Sequence, residues 1–205
     1  MAKQRGFYFN SSTCSGCKAC QMACKDKNDL EAGVIWRRVY EITGGGWEKK
    51  GEAWIPGVYA YNLSISCNHC SNPLCMSSCP NSAVIRGEEG IVTIDPERCM
   101  GCRYCEWACP YGAPQFDGEK GIMTKCDLCA DYLSQDRMPA CVAACPQRAL
   151  DSDDIEKLKK KYKSFDSVHP LPDSKLTRPS LLIKPHRDEK KARETSADIA
   201  NREEV

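Results

Sequence analysis

The sequence predicts an α+β fold in which one small cysteine-bound module is set inside another, with an inserted β segment and an extended C-terminal tail. Three observations carry this expectation. All sixteen cysteines of the 205-residue chain fall into four runs of four. Short alternating segments with glycine-bearing turns lie between the runs. After Leu150 the cysteines stop and the composition turns charged and proline-spaced.

The runs are Cys14-x-x-Cys17-x-x-Cys20-x-x-x-Cys24, Cys67-x-x-Cys70-x-x-x-x-Cys75-x-x-x-Cys79-Pro80, Cys99-x-x-Cys102-x-x-Cys105-x-x-x-Cys109-Pro110, and Cys126-x-x-Cys129 completed by Cys141-x-x-x-Cys145-Pro146. The first and third have the bacterial ferredoxin spacing, in which three cysteines grip one [4Fe–4S] cube and the fourth ligates a neighbouring cube. A proline after the fourth cysteine suits a turn with fixed φ and no amide donor. Cys24 departs from the habit, because Lys25 follows it. Each run therefore shares ligands with a partner run, and four clusters in pairs point to electron transfer.

Other metal and sulfur chemistries fit less well. Disulfides suit short secreted scaffolds, and residues 1–9 show no signal-peptide pattern. Zinc needs only two Cys-x-x-Cys pairs, whereas here the pairs overlap into triplets with a trailing fourth. The run split between Cys129 and Cys141 is the most zinc-like. A mixture, with one run holding zinc or a [3Fe–4S] cluster, is the third alternative.

Taken in order, residues 5–10 supply a short strand before the first run. Residues 34–42 and 58–65 alternate and flank Thr43-Gly44-Gly45-Gly46, with Tyr59, Tyr61, Leu63 and Ile65 on one face. Ala83-Val84-Ile85-Arg86 and Ile91-Val92-Thr93-Ile94 read as a hairpin across a glycine-bearing turn. Residues 66–113 make one two-cluster module. Residues 1–65 and 114–150 make the other, from the first and fourth runs and the inserted strands. Residues 151–163 read as an exposed helix capped by Ser152 or Asp153, with Ile155, Leu158 and Tyr162 on one side. From His186 onward nothing signals packing. The apolar patch Leu181-Leu182-Ile183 is either a strand on its own domain or an arm over a partner subunit, and residues 151–205 as a whole are expected to form a helix and extended tail docking on a partner subunit.

Composition narrows the function. Aromatic residues are 8% of the chain, so a conventional core is thin and the clusters stand in for it, leaving an apo chain expected to be largely unfolded. The formal net charge of +1 argues against a nucleic-acid partner. No run approaches the roughly 18 apolar residues of a membrane span. There is no radical-SAM spacing and no nucleotide-binding glycine loop. With every iron ligated by cysteine no position is open to substrate, so the chain is non-catalytic and transfers electrons within the broad span of about −700 to +450 mV. Lys18, Lys25, Arg98, Arg103 and Lys125 either offset cluster charge or are ordinary surface side chains. His69 either tunes a cluster by hydrogen bonding or faces solvent.

Several of these pieces carry a family resemblance. Ser15-Gly16-Cys17, Ala23-Cys24-Lys25, Ser64-Ile65-Ser66-Cys67-Asn68-His69-Cys70, Cys99-Met100-Gly101-Cys102-Arg103-Tyr104-Cys105, Ala108-Cys109-Pro110-Tyr111-Gly112-Ala113-Pro114, Met123-Thr124-Lys125-Cys126-Asp127, Arg178-Pro179 and Ile183-Lys184-Pro185 resemble the iron–sulfur B subunits of anaerobic dimethyl sulfoxide reductase and related molybdenum-dependent respiratory oxidoreductases. The resemblance covers residues 6–185. It implies two nested bacterial-type 4Fe–4S ferredoxin domains. It also implies a catalytic partner holding a molybdenum–bis-guanine-dinucleotide cofactor, and a quinol-oxidising membrane anchor. The ligand sets it implies are Cys14, Cys17, Cys20 and Cys145 for one cluster, and Cys24, Cys126, Cys129 and Cys141 for a second. A third has Cys67, Cys70, Cys75 and Cys109, and the fourth Cys79, Cys99, Cys102 and Cys105. Some relatives have tryptophan at the position of Cys102 and hold [3Fe–4S] there; cysteine here implies four full cubanes. The long insertions of nitrate reductase and the membrane helix of the formate dehydrogenase type are both absent, which favours the dimethyl sulfoxide reductase branch. Maturation is expected in the cytoplasm, followed by membrane association through partners. The alternative is a free-standing polyferredoxin serving soluble oxidoreductases.

Overall fold

The computed structural model describes residues 3–195 and 197–205; residues 1 and 2 of the expected first module and residue 196 of the expected tail lie outside them. The first run is framed by β1 (Arg5–Asn10) and α1 (Ala19–Lys27), followed by β2 (Arg38–Gly44), β3 (Trp47–Lys50), β4 (Ala53–Pro56) and β5 (Tyr59–Ile65). The middle holds α2 (Leu74–Ser77), β6 (Val84–Arg86), β7 (Val92–Ile94), α3 (Tyr104–Ala108), β8 (Gln115–Asp117) and β9 (Ile122–Thr124). Then come α4 (Ala130–Leu133), α5 (Ala140–Ala143), β10 (Leu150–Asp154), α6 (Ile155–Lys161), β11 (Leu181–Lys184), α7 (Glu189–Glu194) and β12 (Asp198–Ile199). The result is a ferredoxin-type mixture of short helices and small sheets.

β1 buries Phe7, Tyr8 and Phe9 in succession, so both its faces are covered. β10 pairs with it antiparallel, Phe9 opposite Leu150, and β11 pairs parallel, Phe9 opposite Ile183. This sheet corrects one expectation and decides between two others. Residues 151–154 form a strand against β1, and the helix starts only at Ile155, where the Asp154 carboxylate accepts the Glu156 amide. The pairing with β1 gives those four residues backbone partners that an exposed helical turn would lack. Leu181, Leu182 and Ile183 are buried in the protein's own sheet, so that patch is not an arm over a partner.

The second sheet is β12–β2–β5. Tyr59, Tyr61, Leu63 and Ile65 bury one face of β5, as their alternation predicts. The strand expected over residues 34–42 begins at Arg38 instead. Upstream, the Ile35 amide bonds Gln115 Oε1 at 2.6 Å and Trp36 Nε1 bonds Thr124 Oγ1 at 3.2 Å, so side chains of β8 and β9 replace a strand neighbour. The tail beyond His186 also packs, against expectation. β12 pairs with β2, Ala192 is fully buried, and Asn201 accepts from the Glu41 amide and donates to the Val39 carbonyl, both at 2.8 Å.

The hairpin β6–β7 stands where expected, Val84 opposite Ile94. A matching hairpin, β8–β9, follows the third run. Cysteines are part of the core. Cys20, Cys67, Cys126, Cys141 and Cys145 share one apolar cluster with Phe9, Val39, Ile65 and Ile183, while Cys75 and Cys105 pack with Val84, Val92 and Met123.

Candidate iron–sulfur centres

Each run folds the way its spacing dictates. In the Cys-x-x-Cys turns the residue before the second cysteine is left-handed: Gly16, His69, Gly101 and Leu128. That turn brings two sulfurs to one side of the chain. After the fourth cysteine of three runs comes a second device, Cys-Pro-x-x-Ala. The amides of Ser82, Gly112 and Arg148 close a turn on the carbonyls of Cys79, Cys109 and Cys145, each with positive φ. The next amide then points at sulfur: Ala83 to Cys79 Sγ at 3.2 Å, Ala113 to Cys109 Sγ at 3.5 Å and Ala149 to Cys145 Sγ at 3.3 Å. Proline suits this turn because its missing N–H needs no partner. Cys24, which lacks the proline, lies inside α1, and there the Asn28 side chain takes over, donating to Cys24 Sγ at 3.6 Å.

The sixteen cysteines are free thiols. Cys14, Cys17, Cys20 and Cys145 line one cavity, Cys67, Cys70, Cys75 and Cys109 a second, and Cys79, Cys99, Cys102 and Cys105 a third. Cys24, Cys126, Cys129 and Cys141 are all buried, and each of Cys24 and Cys129 feels the charge of Cys141. Among the described residues no three Cys, His, Asp or Glu side chains converge tightly enough to hold a single metal ion. Sulfurs standing around a cavity suit a cluster better than a lone zinc.

The polar atoms nearby also fit an anionic cluster. Among the described residues, the buried side-chain atoms without a partner are Arg37 Nε, Arg38 Nε, Asn68 Nδ2 and His69 Nε2. His69 Nδ1 accepts the Val92 amide at 3.1 Å, so Nε2 carries the proton, and all four are N–H donors. Asn68 lines the Cys67 cavity, Arg38 acts on Cys109, and Arg37 acts on Cys20, Cys24 and Cys126. Donors beside sulfur favour the charged form of an iron–sulfur group. In the bare sites, burial pushes the thiols of Cys24, Cys70 and Cys75 up to about 12 and those of Cys14 and Cys105 to about 11. Only the positive charge of bound iron makes thiolate favourable there.

A protein-family model for the 4Fe–4S dicluster domain matches residues 58–155. The B subunit of anaerobic dimethyl sulfoxide reductase from Escherichia coli K12 is 47% identical over 205 residues, the full length of both proteins. That of Haemophilus influenzae is 46% identical over 204 residues, 99% of this chain and 100% of its own. The protein belongs to the family of anaerobic dimethyl sulfoxide reductase iron–sulfur subunits. A formate dehydrogenase iron–sulfur subunit of Wolinella succinogenes is 36% identical over 176 residues, 73% of this chain and 82% of its own. As a member of this family the protein is a non-catalytic electron-transfer subunit, and its cofactors are four [4Fe–4S] clusters.

The basic residues beside the cysteines fall into distinct groups. Lys18, Arg98 and Arg103 pair on the surface with Glu204, Asp95 and Glu106. Lys25 caps a loop through the carbonyls of Leu30, Glu31 and Val34. Lys125 alone of the five is buried; it donates to the carbonyls of Val92 and Cys126 and lines the Cys67 cavity. His69 is fully buried, which removes the solvent-facing alternative, and burial together with Lys125 holds it neutral. The sequence reading missed Arg37, which no cysteine spacing marks. Among the described residues no helix is long and apolar enough to cross a membrane.

Proposed function

We propose that the protein carries electrons from a quinol-oxidising membrane anchor to a catalytic subunit holding a molybdenum–bis-guanine-dinucleotide cofactor. Bound clusters supply one-electron outer-sphere transfer. Their ligands are Cys14, Cys17, Cys20 and Cys145; Cys24, Cys126, Cys129 and Cys141; Cys67, Cys70, Cys75 and Cys109; and Cys79, Cys99, Cys102 and Cys105. The sets divide between two nested modules, residues 66–113 inside residues 1–65 and 114–150.

The observation that carries this reading is the order in which the sets adjoin. Cys20 of the first set feels Cys141 of the second, and Cys126 of the second feels Cys67 of the third. Cys75 of the third and Cys105 of the fourth share one apolar cluster. The sets thus form a file, with an accessible end at each extreme. Cys17 is exposed at one end, and Met100, Tyr104 and Trp107 are exposed beside the other. The tail, packed on its own domain, gives no support to a partner; the relatives' standing as subunits does.

The test is iron and acid-labile sulfide on anaerobically purified protein, with EPR of the reduced form. About sixteen of each, with spin-coupled signals, is expected for four cubanes. Near-zero iron with bound zinc overturns the reading. Purification of a stoichiometric complex with a molybdenum subunit is the expected result against a freely diffusing carrier.

A further inference from the structure

We propose that Arg37 is a shared counter-charge that sets the reduction potentials at the Cys14 and Cys24 sets together. The inference rests on the ligand sets proposed above. Arg37 is 1% exposed. Its Nη1 donates to the Ser64 carbonyl and hydroxyl at 3.3 Å, its Nη2 donates to Ser66 Oγ at 2.8 Å, and its guanidinium lies 4.5 Å from the Phe7 ring centre. None of these partners is a carboxylate. A buried cation with no opposing charge is strongly unfavourable, so the compensating charge must come from the sulfur sets.

A hydrogen-bonded path leads from Arg37 to the Cys14 set, and shared packing brings it beside the Cys24 set. The Ser64 hydroxyl accepts from Arg37, which leaves its proton for Cys20 Sγ at 3.4 Å. That is a two-step relay into the Cys14 set. Cys20 and Cys24 lie on α1, which packs on α5, the helix of Cys141. Phe7, whose ring the guanidinium faces, shares one buried cluster with Cys20, Cys126 and Cys141. Burial disfavours the charge on Arg37, and negative charge on Cys141, Cys20, Cys126 and Cys24 favours it. The Nε–H, without a protein acceptor among the described residues, is one further donor available to a sulfur-bound anion. Reduction adds negative charge to a cluster, and a fixed cation beside it favours the reduced form. Arg37 is therefore a positioning residue that holds both potentials up. The Cys79 set, whose Cys105 packs in a separate apolar cluster, serves as an internal control.

The experiment is potentiometric EPR, with iron counted first, on the iron-loaded full-length protein. For Arg37→Gln we expect iron content unchanged and at least a tenfold shift of the reduction equilibrium toward the oxidised form at both the Cys14 and Cys24 sets. That is about 59 mV per one-electron couple. The Cys79-set cluster keeps its potential, and Arg37→Lys recovers most of the shift. Four clusters at unaltered potentials in Arg37→Gln overturn the proposal and reduce Arg37 to a structural clamp on Ser64 and Ser66. If Arg37→Gln does not assemble, Arg37→Met takes its place: lowered potentials at both the Cys14 and Cys24 sets support the proposal, and unaltered potentials overturn it. A native protein lacking four clusters instead overturns the ligand sets, a result separable because it appears before any substitution.

Discussion

Gly101→Ala is expected to strip iron from the Cys79 set, whereas Gly16→Ala leaves the Cys14 set filled. The two glycines hold equivalent places in Cys-x-Gly-Cys, at φ +69° and +71°. An L side chain there costs about 1–2 kcal/mol in either case. What the new Cβ meets is different. At 16 it would lie 2.6 Å from Asn62 Oδ1, the end of a side chain that can swing away. At 101 it would lie 2.4 Å from the Gly121 carbonyl oxygen, with Phe116 at 3.1 Å. Restoring an ordinary contact of about 3.5 Å requires the β8–β9 turn to retreat by roughly 1 Å. That turn leads into Met123, whose amide donates to Cys99 Sγ at 3.3 Å and whose side chain is 1% exposed. Overpacking adds about 1–3 kcal/mol and the strained hydrogen bond about 0.5–1.5 kcal/mol. The totals are therefore about 2.5–6.5 kcal/mol for Gly101→Ala and about 1–2 kcal/mol for Gly16→Ala. For a chain of this length each kcal/mol moves Tm by about 2–4 °C. Anaerobic melting and iron analysis read both effects, with a loss of about four irons of about sixteen expected only in Gly101→Ala. Equal losses in the two variants, or full iron and an unchanged Tm in Gly101→Ala, would refute the reasoning.

Cys102→Ser should alter the cluster of the Cys79 set and leave the EPR signal of the Cys14 set intact; selective loss of the latter contradicts the pairing. Asn201→Ala removes two hydrogen bonds to β2, one buried and one partly buried, about 1–3 kcal/mol together. Amide exchange over residues 198–205 should quicken with iron unchanged, and protection equal to the native protein would mean the tail is held otherwise. Removal of iron by a chelator should collapse the far-UV circular dichroism and open the chain to protease; a native-like spectrum in iron-free protein counts against metal-coupled folding.

Legibility followed burial and chemistry. The cysteine sets are legible because iron–sulfur ligation imposes a spacing on the chain itself. The face of β5 is legible because it buries alternate residues, and the hairpin β6–β7 because a glycine-bearing turn separates two runs rich in β-branched residues. The hairpin β3–β4 left no such trace: every residue of both strands is exposed, Trp47 and Trp54 included. Strands β8 and β9 are three residues each, too short for a period to show. The strand Leu150–Asp154 is acidic and was masked by its helix-capping composition, since its partner β1 is almost 150 residues away. The packed tail depends on Asn201 imitating a strand neighbour by its side chain, which has no periodic signature. Arg37 was hidden for a similar reason, because its role comes from tertiary placement among cysteines of separate segments.

These same placements explain why iron binding and folding should be one event. The main apolar cluster joins Phe9, Ile65, Cys20, Cys67, Cys126, Cys141, Cys145 and Ile183, drawn from segments far apart in the sequence. No disulfide ties them among the described residues. A compact iron-free state would enclose thiols that burial keeps protonated, together with Arg37 and Lys125, neither of which has a carboxylate partner among the described residues. Each buried charge without compensation costs several kcal/mol, and a whole domain is stable by only about 5–15 kcal/mol. Two such charges therefore consume most of the margin before the orphaned donors of Asn68 and His69 are counted. Anionic clusters reverse the sign of every one of these contributions at once: thiols become ligands, the cations gain counter-charges, and the donors gain acceptors. The polar atoms that make the iron-free core unstable are the ones that make the loaded core specific for a negatively charged, sulfur-rich group.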